Sequence, residues 1–319
     1  MMFLESFKIT GVAVAQILLV AVIGYFLVKR GILGQAGLDT LSRLVVEVTL
    51  PILIFCQLMQ DFRFDLYPNW WVFPLLSLAI TIAGLLAGIF FVGFIKGSHH
   101  KVQFLSLTTF QNSGYLPLAL IAAILPKEKA DTALVYLFLF LLGFNLIVWS
   151  LGVYMLSFHK SKKFDFGTIF SPPVVAVSLS LMIIFLGWHK FVPDALIKPL
   201  AMVGDCTLPL AMIVVGGSLA AVRLVHINIR AMSLMVLSRL IILPAIGLWL
   251  ILEFKMPELL GFLILIELAV PSATSLTVIT RHYKNEDLLI SQGVFFGHLA
   301  SLVTLPLFLS IYLALVMAK

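Results

Sequence analysis

The chain has 319 residues, of which 61% are hydrophobic and 11% charged, and a mean hydropathy of +1.13. Soluble domains carry charge on about a quarter of their residues, so a soluble fold of this length could not cover so much apolar surface. The formal net charge of +6 sits in short loops between apolar runs, which assigns it to lipid headgroups and topology and argues against a nucleic-acid partner.

Apolar runs of about 20 residues recur from end to end, the signature of membrane-spanning helices and not of barrel strands. Span one covers 10–28; it ends in Lys29-Arg30 instead of a small-residue cleavage site, so it reads as a retained helix. Span two, 38–60, opens with Asp39, Arg43 and Glu47, and its first turns should face protein or water. Span three is 69–95. Span four, 101–125, is interrupted by Gln111-Asn-Ser-Gly-Tyr-Leu-Pro117, where Asn112, Ser113 and Gly114 favour turns and Pro117 lacks a helical donor. Span five, 131–157, is followed by a short basic linker, 158–170. Spans six to ten cover 171–187, 196–221, 231–252, 259–280 and 288–316. Cys56 and Cys206 fall inside spans and offer neither a disulfide framework nor metal-ligand spacing.

Lysine and arginine set the orientation. One side collects Lys29, Arg30, Lys96, Lys101, Lys160, Lys162, Lys163, Arg223, Arg230, Arg281 and Lys284, and is cytoplasmic on this rule. The other has Lys8, Arg63, Lys127, Lys129, Lys190, Lys198, Lys255 and Lys319 balanced by acids, so both termini are expected outside.

The chain also repeats itself. Glu47-Val-Thr-Leu-Pro51 and Asp205-Cys-Thr-Leu-Pro209 lie 158 residues apart. The same offset carries span one onto span six. It also lays 111–120 over Ala269-Val-Pro-Ser-Ala-Thr-Ser-Leu-Thr-Val278, a second interruption of a span. Each half, 1–157 and 158–319, then holds five spans, an odd number, so the second half must enter the membrane inverted. The predicted fold is all-α: ten transmembrane helices in two inverted five-helix repeats, with spans four and nine broken and crossing. Inverted repeats mark secondary transporters, whose site lies where broken helices meet. Freed backbone groups cost several kcal/mol each in hydrocarbon, so such breaks persist only in protein or beside a polar cavity.

Asn112-Ser-Gly-Tyr-Leu-Pro117, Pro271-Ser-Ala-Thr-Ser275 and the closing Gly297-His-Leu-Ala-Ser-Leu-Val-Thr-Leu-Pro306 together resemble the auxin efflux carrier family. That family includes the plant PIN carriers and bacterial relatives named as malonate or malate permeases. The resemblance covers the whole chain. It implies a scaffold of spans one, two, six and seven, a transport core of spans three to five and eight to ten, and an elevator-type motion of one against the other. It implies Asn112 and Pro117 in one arm of the crossover and Pro271 in the other, and a homodimer by analogy with the plant carriers. The short linker departs from the long plant loop, which argues against auxin itself, favours the bacterial branch and places the chain in a bacterial inner membrane.

The substrate expected is a small organic anion, a mono- or dicarboxylate. Its carboxylate would be held by N–H groups after Pro271 and by Asn112, Ser272, Thr274 and Ser275, with Ser113, Gly114 and Tyr115 beside them. Ionisable residues within spans suggest function by default. Glu267, one helical turn before Pro271, is the preferred site for coupling to a proton or sodium ion. Glu47 and Asp205, at matched repeat positions, are either coupling groups or architecture inherited from duplication. His298 either titrates or is a packed, hydrogen-bonded residue. Arg43 and Glu47, four apart, can pair; Arg239 either counters a substrate carboxylate or neutralises a nearby acid. No cofactor is called for.

Rival readings fail on their motifs. Aspartyl intramembrane proteolysis needs Gly-x-Gly-Asp, and Met202-Val-Gly-Asp205 lacks the first glycine. Rhomboid-like chemistry needs Gly-x-Ser-Gly, and Gly216-Gly-Ser218 is followed by Leu219. A receptor would not need inverted symmetry. A sodium-coupled bile-acid-type carrier or a cation/proton antiporter shares crossed helices, but antiporters favour acids at the crossover, where this chain has Asn, Ser and Thr.

Overall fold

A computed structural model describes residues 2–157, 170–282 and 288–317. The linker lysines 160, 162 and 163, together with Lys284, Lys319 and the side chain of Arg281, lie outside the described residues. Among those described, no strand forms. The helices are α1 Phe3–Lys29, α2 Gln35–Asp61, α3 Val72–Val92, α4 Ser98–Thr109, α5 Tyr115–Ile124, α6 Lys127–Leu156, α7 Pro172–Phe185, α8 Asp194–Ala220, α9 Ile229–Glu253, α10 Glu258–Ala269, α11 Ser275–His282 and α12 Leu288–Val316. Seven of them, α1, α2, α3, α6, α8, α9 and α12, are each long and apolar enough to cross a membrane. The two spans expected to break do so, into α4–α5 and α10–α11.

The surface fits that setting. Leu19, Phe90, Phe185 and Val303 are each at least 66% exposed, on four different helices. In water such a surface would aggregate; in a bilayer it faces lipid tails. The fully buried residues Phe104, Leu107, Phe138, Phe140, Phe262 and Leu265 belong to α4, α6 and α10, so the interior is densest around the broken helices.

Without a hydrophobic driving force between helices in lipid, close approach of backbones does much of the work of association. α1 packs on α8 through Gly24 and Gly216. A Cβ on Gly24 would fall on the backbone of Ile213, and one on Gly216 would fall on the backbone of Ala21. α1 also contacts α5 and α12, α2 packs on α7 and α8, α3 on α4 and α6, and α9 on α10 and α12.

Prolines explain two local irregularities. Val45–Thr49 in α2 and Leu237–Ile242 in α9 are π-turns, followed shortly by Pro51 and Pro244. A proline in a helix leaves the carbonyl four residues back without its donor, and a widened turn accommodates that. These turns carry Glu47 and Arg239.

One expectation needs correction. The helix bounds at the two breaks lie 160 residues apart, not 158: Ser98 and Glu258 open α4 and α10, Thr109 and Ala269 close them, and Tyr115 and Ser275 open the helices that follow.

Candidate functional site

α4 stops at Thr109 and α10 at Ala269, each giving way to five non-helical residues, 110–114 and 270–274. Val270 precedes Pro271, whose ring disfavours a helical neighbour, and it is extended with φ −69° and ψ 148°. Pro117 stands third in α5, inside the first turn where no donor is missed.

The two extended segments cross and pair. The Asn112 N–H donates to the Pro271 carbonyl at 2.8 Å, and the Ala273 N–H donates to the Phe110 carbonyl at 2.9 Å, around an antiparallel bridge of Gln111 with Ser272. Each break thus satisfies the other's backbone. The helix C-termini are closed by side chains. Ser272 Oγ donates to the Leu107 carbonyl at 2.6 Å. Arg239 Nη2 donates to the Glu267 carbonyl at 2.7 Å, and its Nε to the Val270 carbonyl at 3.3 Å. Leu107 and Glu267 are themselves 160 apart, so matched carbonyls are capped by unlike donors.

The N-termini of α5 and α11 meet at a cavity. Gly114 and Tyr115 from one, Thr274 and Ser275 from the other, line a single cavity of about 430 Å³ with Asn112 and Ser113. Its opposite wall is α2, with Ser42, Arg43 and Glu47, and α6 contributes Asn145 and Trp149. First-turn N–H groups lack the acceptor four residues back; in α11 those of Leu276 and Thr277 turn instead to the Ala273 and Thr274 carbonyls at 3.3 and 3.1 Å, and each helix end carries a partial positive charge. Two such ends aimed into one cavity favour an anion, each by up to about 2 kcal/mol in a partly buried setting. Arg43 adds little net charge, because its Nε lies 3.0 Å from Glu47 Oε1.

The other expected residues are placed differently. Pro117, Pro271 and Ser272 do not line the cavity; they build the break, the Ser272 hydroxyl facing Leu107 and the Ala273 N–H being already paired. Arg239 is fully buried, donates to two backbone carbonyls and does not line the cavity. Glu267, also fully buried, lies close to the break with Oε2 3.5 Å from Gln111 Nε2, yet does not line the cavity. His298 Nε2 lies 3.2 Å from Asn112 Nδ2. Asp205 is exposed on α8 and is not brought to the cavity that Glu47 lines, so the matched pair does not act as a unit there.

Sequence reading missed Ser42, Trp149 and Gln111. Asn145 donates to the Leu141 carbonyl of its own helix and lines the cavity. Leu38, Ser42, Val46 and Leu50 all line the cavity at i, i+4 spacing, the signal that could have revealed this face of α2.

A family model described as "Membrane transport protein" matches residues 10–167 and 157–309. The chain belongs to the membrane transport protein family. This is the family of the auxin efflux carriers, and membership makes the chain a multi-pass membrane transporter and not an enzyme. Among similar members, an uncharacterized transporter of Methanothermobacter thermautotrophicus is 27% identical, over 92% of this chain and 95% of its own length. An uncharacterized transporter of Methanocaldococcus jannaschii is 23% identical, over 91% and 95%. Protein PIN-LIKES 1 of Arabidopsis thaliana is 23% identical, over 99% of this chain and 81% of its own length.

Proposed function

We propose that this membrane transport protein is a secondary active carrier of a small organic anion, a mono- or dicarboxylate, bound where the broken helices cross. The observation that carries this reading is the convergence of two half-helix N-termini, at Tyr115 and Ser275, on one 430 Å³ cavity. Ten spans in two inverted five-helix repeats account for it: the seven long helices, α7, and the two broken pairs. The equal lengths of α4 and α10, 12 residues each, and the two successive family matches support that count.

The cavity lies between the crossover and α2, so transport by an elevator-type movement of the crossover-bearing core past the scaffold exposes it to alternate sides. Both termini lie outside, and the membrane is the cytoplasmic one. A proton or sodium ion supplies the coupling. A cation/proton antiporter fits less well, because the one deeply buried crossover acid, Glu267, is walled off from the cavity.

Counterflow in proteoliposomes tests this reading. Vesicles loaded with the right unlabelled carboxylate should accumulate its labelled form, and Asn112→Ala should reduce the initial rate at least tenfold. Accumulation of labelled amines with no carboxylate counterflow would contradict it.

A further inference from the structure

Asn112 faces two ways. It lines the 430 Å³ cavity, and its Nδ2 lies 3.2 Å from Nε2 of His298 on α12. On its other side His298 lines a separate apolar cavity of about 160 Å³, bounded by α1, α5, α8 and α12. His298 Nδ1 lies 2.8 Å from the Val294 carbonyl oxygen. A carbonyl oxygen only accepts, so Nδ1 carries a hydrogen whatever the charge of the ring. That fixes the chemistry at Nε2. In the neutral ring Nε2 is an acceptor and must meet the amide nitrogen, which is the observed arrangement. In the protonated ring Nε2 is a donor and must meet the amide oxygen.

We infer that His298 is a positioning residue for Asn112, and that its protonation turns the Asn112 amide over. The NH₂ group is then released toward the cavity as a donor to the substrate carboxylate, so one proton binds with each anion. The inference rests on the organic-anion reading of the cavity. The proton comes from solvent and resides on Nε2; no covalent bond of the substrate changes.

The surroundings favour such coupling. Helices α1, α4, α9, α10 and α11 pack against α12. Their ionisable groups near the middle of the bundle are Arg239 and Glu267, the first held by the carbonyls of Glu267 and Val270 and the second facing Gln111. The others stand toward helix ends: Glu5, Lys8, Tyr25 and Lys29 on α1, His99, His100 and Lys101 on α4, Arg230 and Glu253 on α9, and Glu258 on α10. On α11 the side chains of Arg281 and His282 lie outside the described residues. Tyr312, on α12 itself, donates to the Glu258 carbonyl. No hydrogen bond or ion pair joins His298 to any of the described ones, so a carboxylate bound at Asn112 supplies the counter-charge for the imidazolium. In a pH range where the free ring is neutral and the complex protonated, affinity should rise about tenfold for each unit of falling pH.

The test uses the full chain in detergent with ¹⁵N-labelled histidine and a panel of acetate, malonate, malate and benzoate. One imidazole resonance pair, identified by its loss in His298→Gln, should show the Nδ1–H neutral form alone and the doubly protonated form with a carboxylate that stabilises the protein. His298→Gln should bind that acid with an affinity independent of pH. A carboxylate that binds, and is lost with Asn112→Ala, while the His298 ring stays neutral overturns the inference and leaves the anion site standing. Failure of every acid in the panel to stabilise the wild-type chain at any pH overturns the anion site and this inference with it.

Discussion

At the scale of single residues, the buried polar groups divide into those that build the crossover and those that face the cavity. Arg239 belongs to the builders. Replacing it with leucine strands two buried carbonyls, each costing about 1–3 kcal/mol, and leaves Glu267 without its cationic neighbour. Arg239→Leu is therefore expected to lower the apparent melting temperature strongly. The double variant Arg239→Leu/Glu267→Leu should recover part of that loss, since a buried carboxylate with no cation nearby costs more than an apolar side chain in its place. A double variant no better than the single one would show that the two charges do not interact. Asn112 was legible in the sequence because a turn-former at membrane depth demands an explanation. The opposite roles of Ser272 and Thr274, two residues apart, were not legible. Both are small hydroxyl residues, and only the antiparallel pairing of the breaks decides that one turns to Leu107 and the other to the cavity.

At the scale of elements, the helices read from their apolar runs appear within about four residues of their expected bounds, because length and hydropathy define a span; α1 is the exception, starting at Phe3 and not at residue 10 because Glu5 and Lys8 do not end the helix. Which helix touches which was not legible, since a glycine in an apolar run does not announce the face it serves. Gly24 and Gly216 illustrate this: they let α1 and α8 meet backbone to backbone. Gly216→Val forces the helices apart or forces off-rotamer packing, at about 1–3 kcal/mol, and should reduce thermal stability. Gly31→Ala, where nothing lies within 4 Å but φ is +72°, strains only the turn after α1 and should cost about 1 kcal/mol or less. Equal melting temperatures for Gly216→Val and wild type would contradict the close α1–α8 approach. The lone ion pair between elements among the described residues, Lys129 Nζ with Glu258 Oε1 at 2.5 Å, joins the first turns of α6 and α10. Its removal by Lys129→Ala should change stability by less than about 1 kcal/mol, because partly exposed pairs are screened.

At the scale of the whole molecule, the Thr-Leu-Pro match was enough to suggest duplication. The offset of 160 between the two breaks was hidden, because only helix bounds reveal it. An elevator requires the surface between α1 and α8 on one side and α5 and α12 on the other to slide. The 160 Å³ cavity, lined by Leu18, Leu120 and Met212 among others, lies on that surface. Joining Leu18→Cys to Leu120→Cys with a short bismaleimide, in a Cys206→Ser background, should arrest counterflow while leaving carboxylate binding intact. Full transport by the joined protein would exclude sliding there. The claim on which all else depends is that this crossover holds an anion, and thermal stabilisation of the purified chain by small carboxylates against amines of equal size tests it most directly. At least one acid should raise the melting temperature in proportion to the logarithm of its concentration, no amine should, and Asn112→Ala should abolish the effect. Stabilisation by amines alone, or by an acid to the same extent in Asn112→Ala, would contradict it.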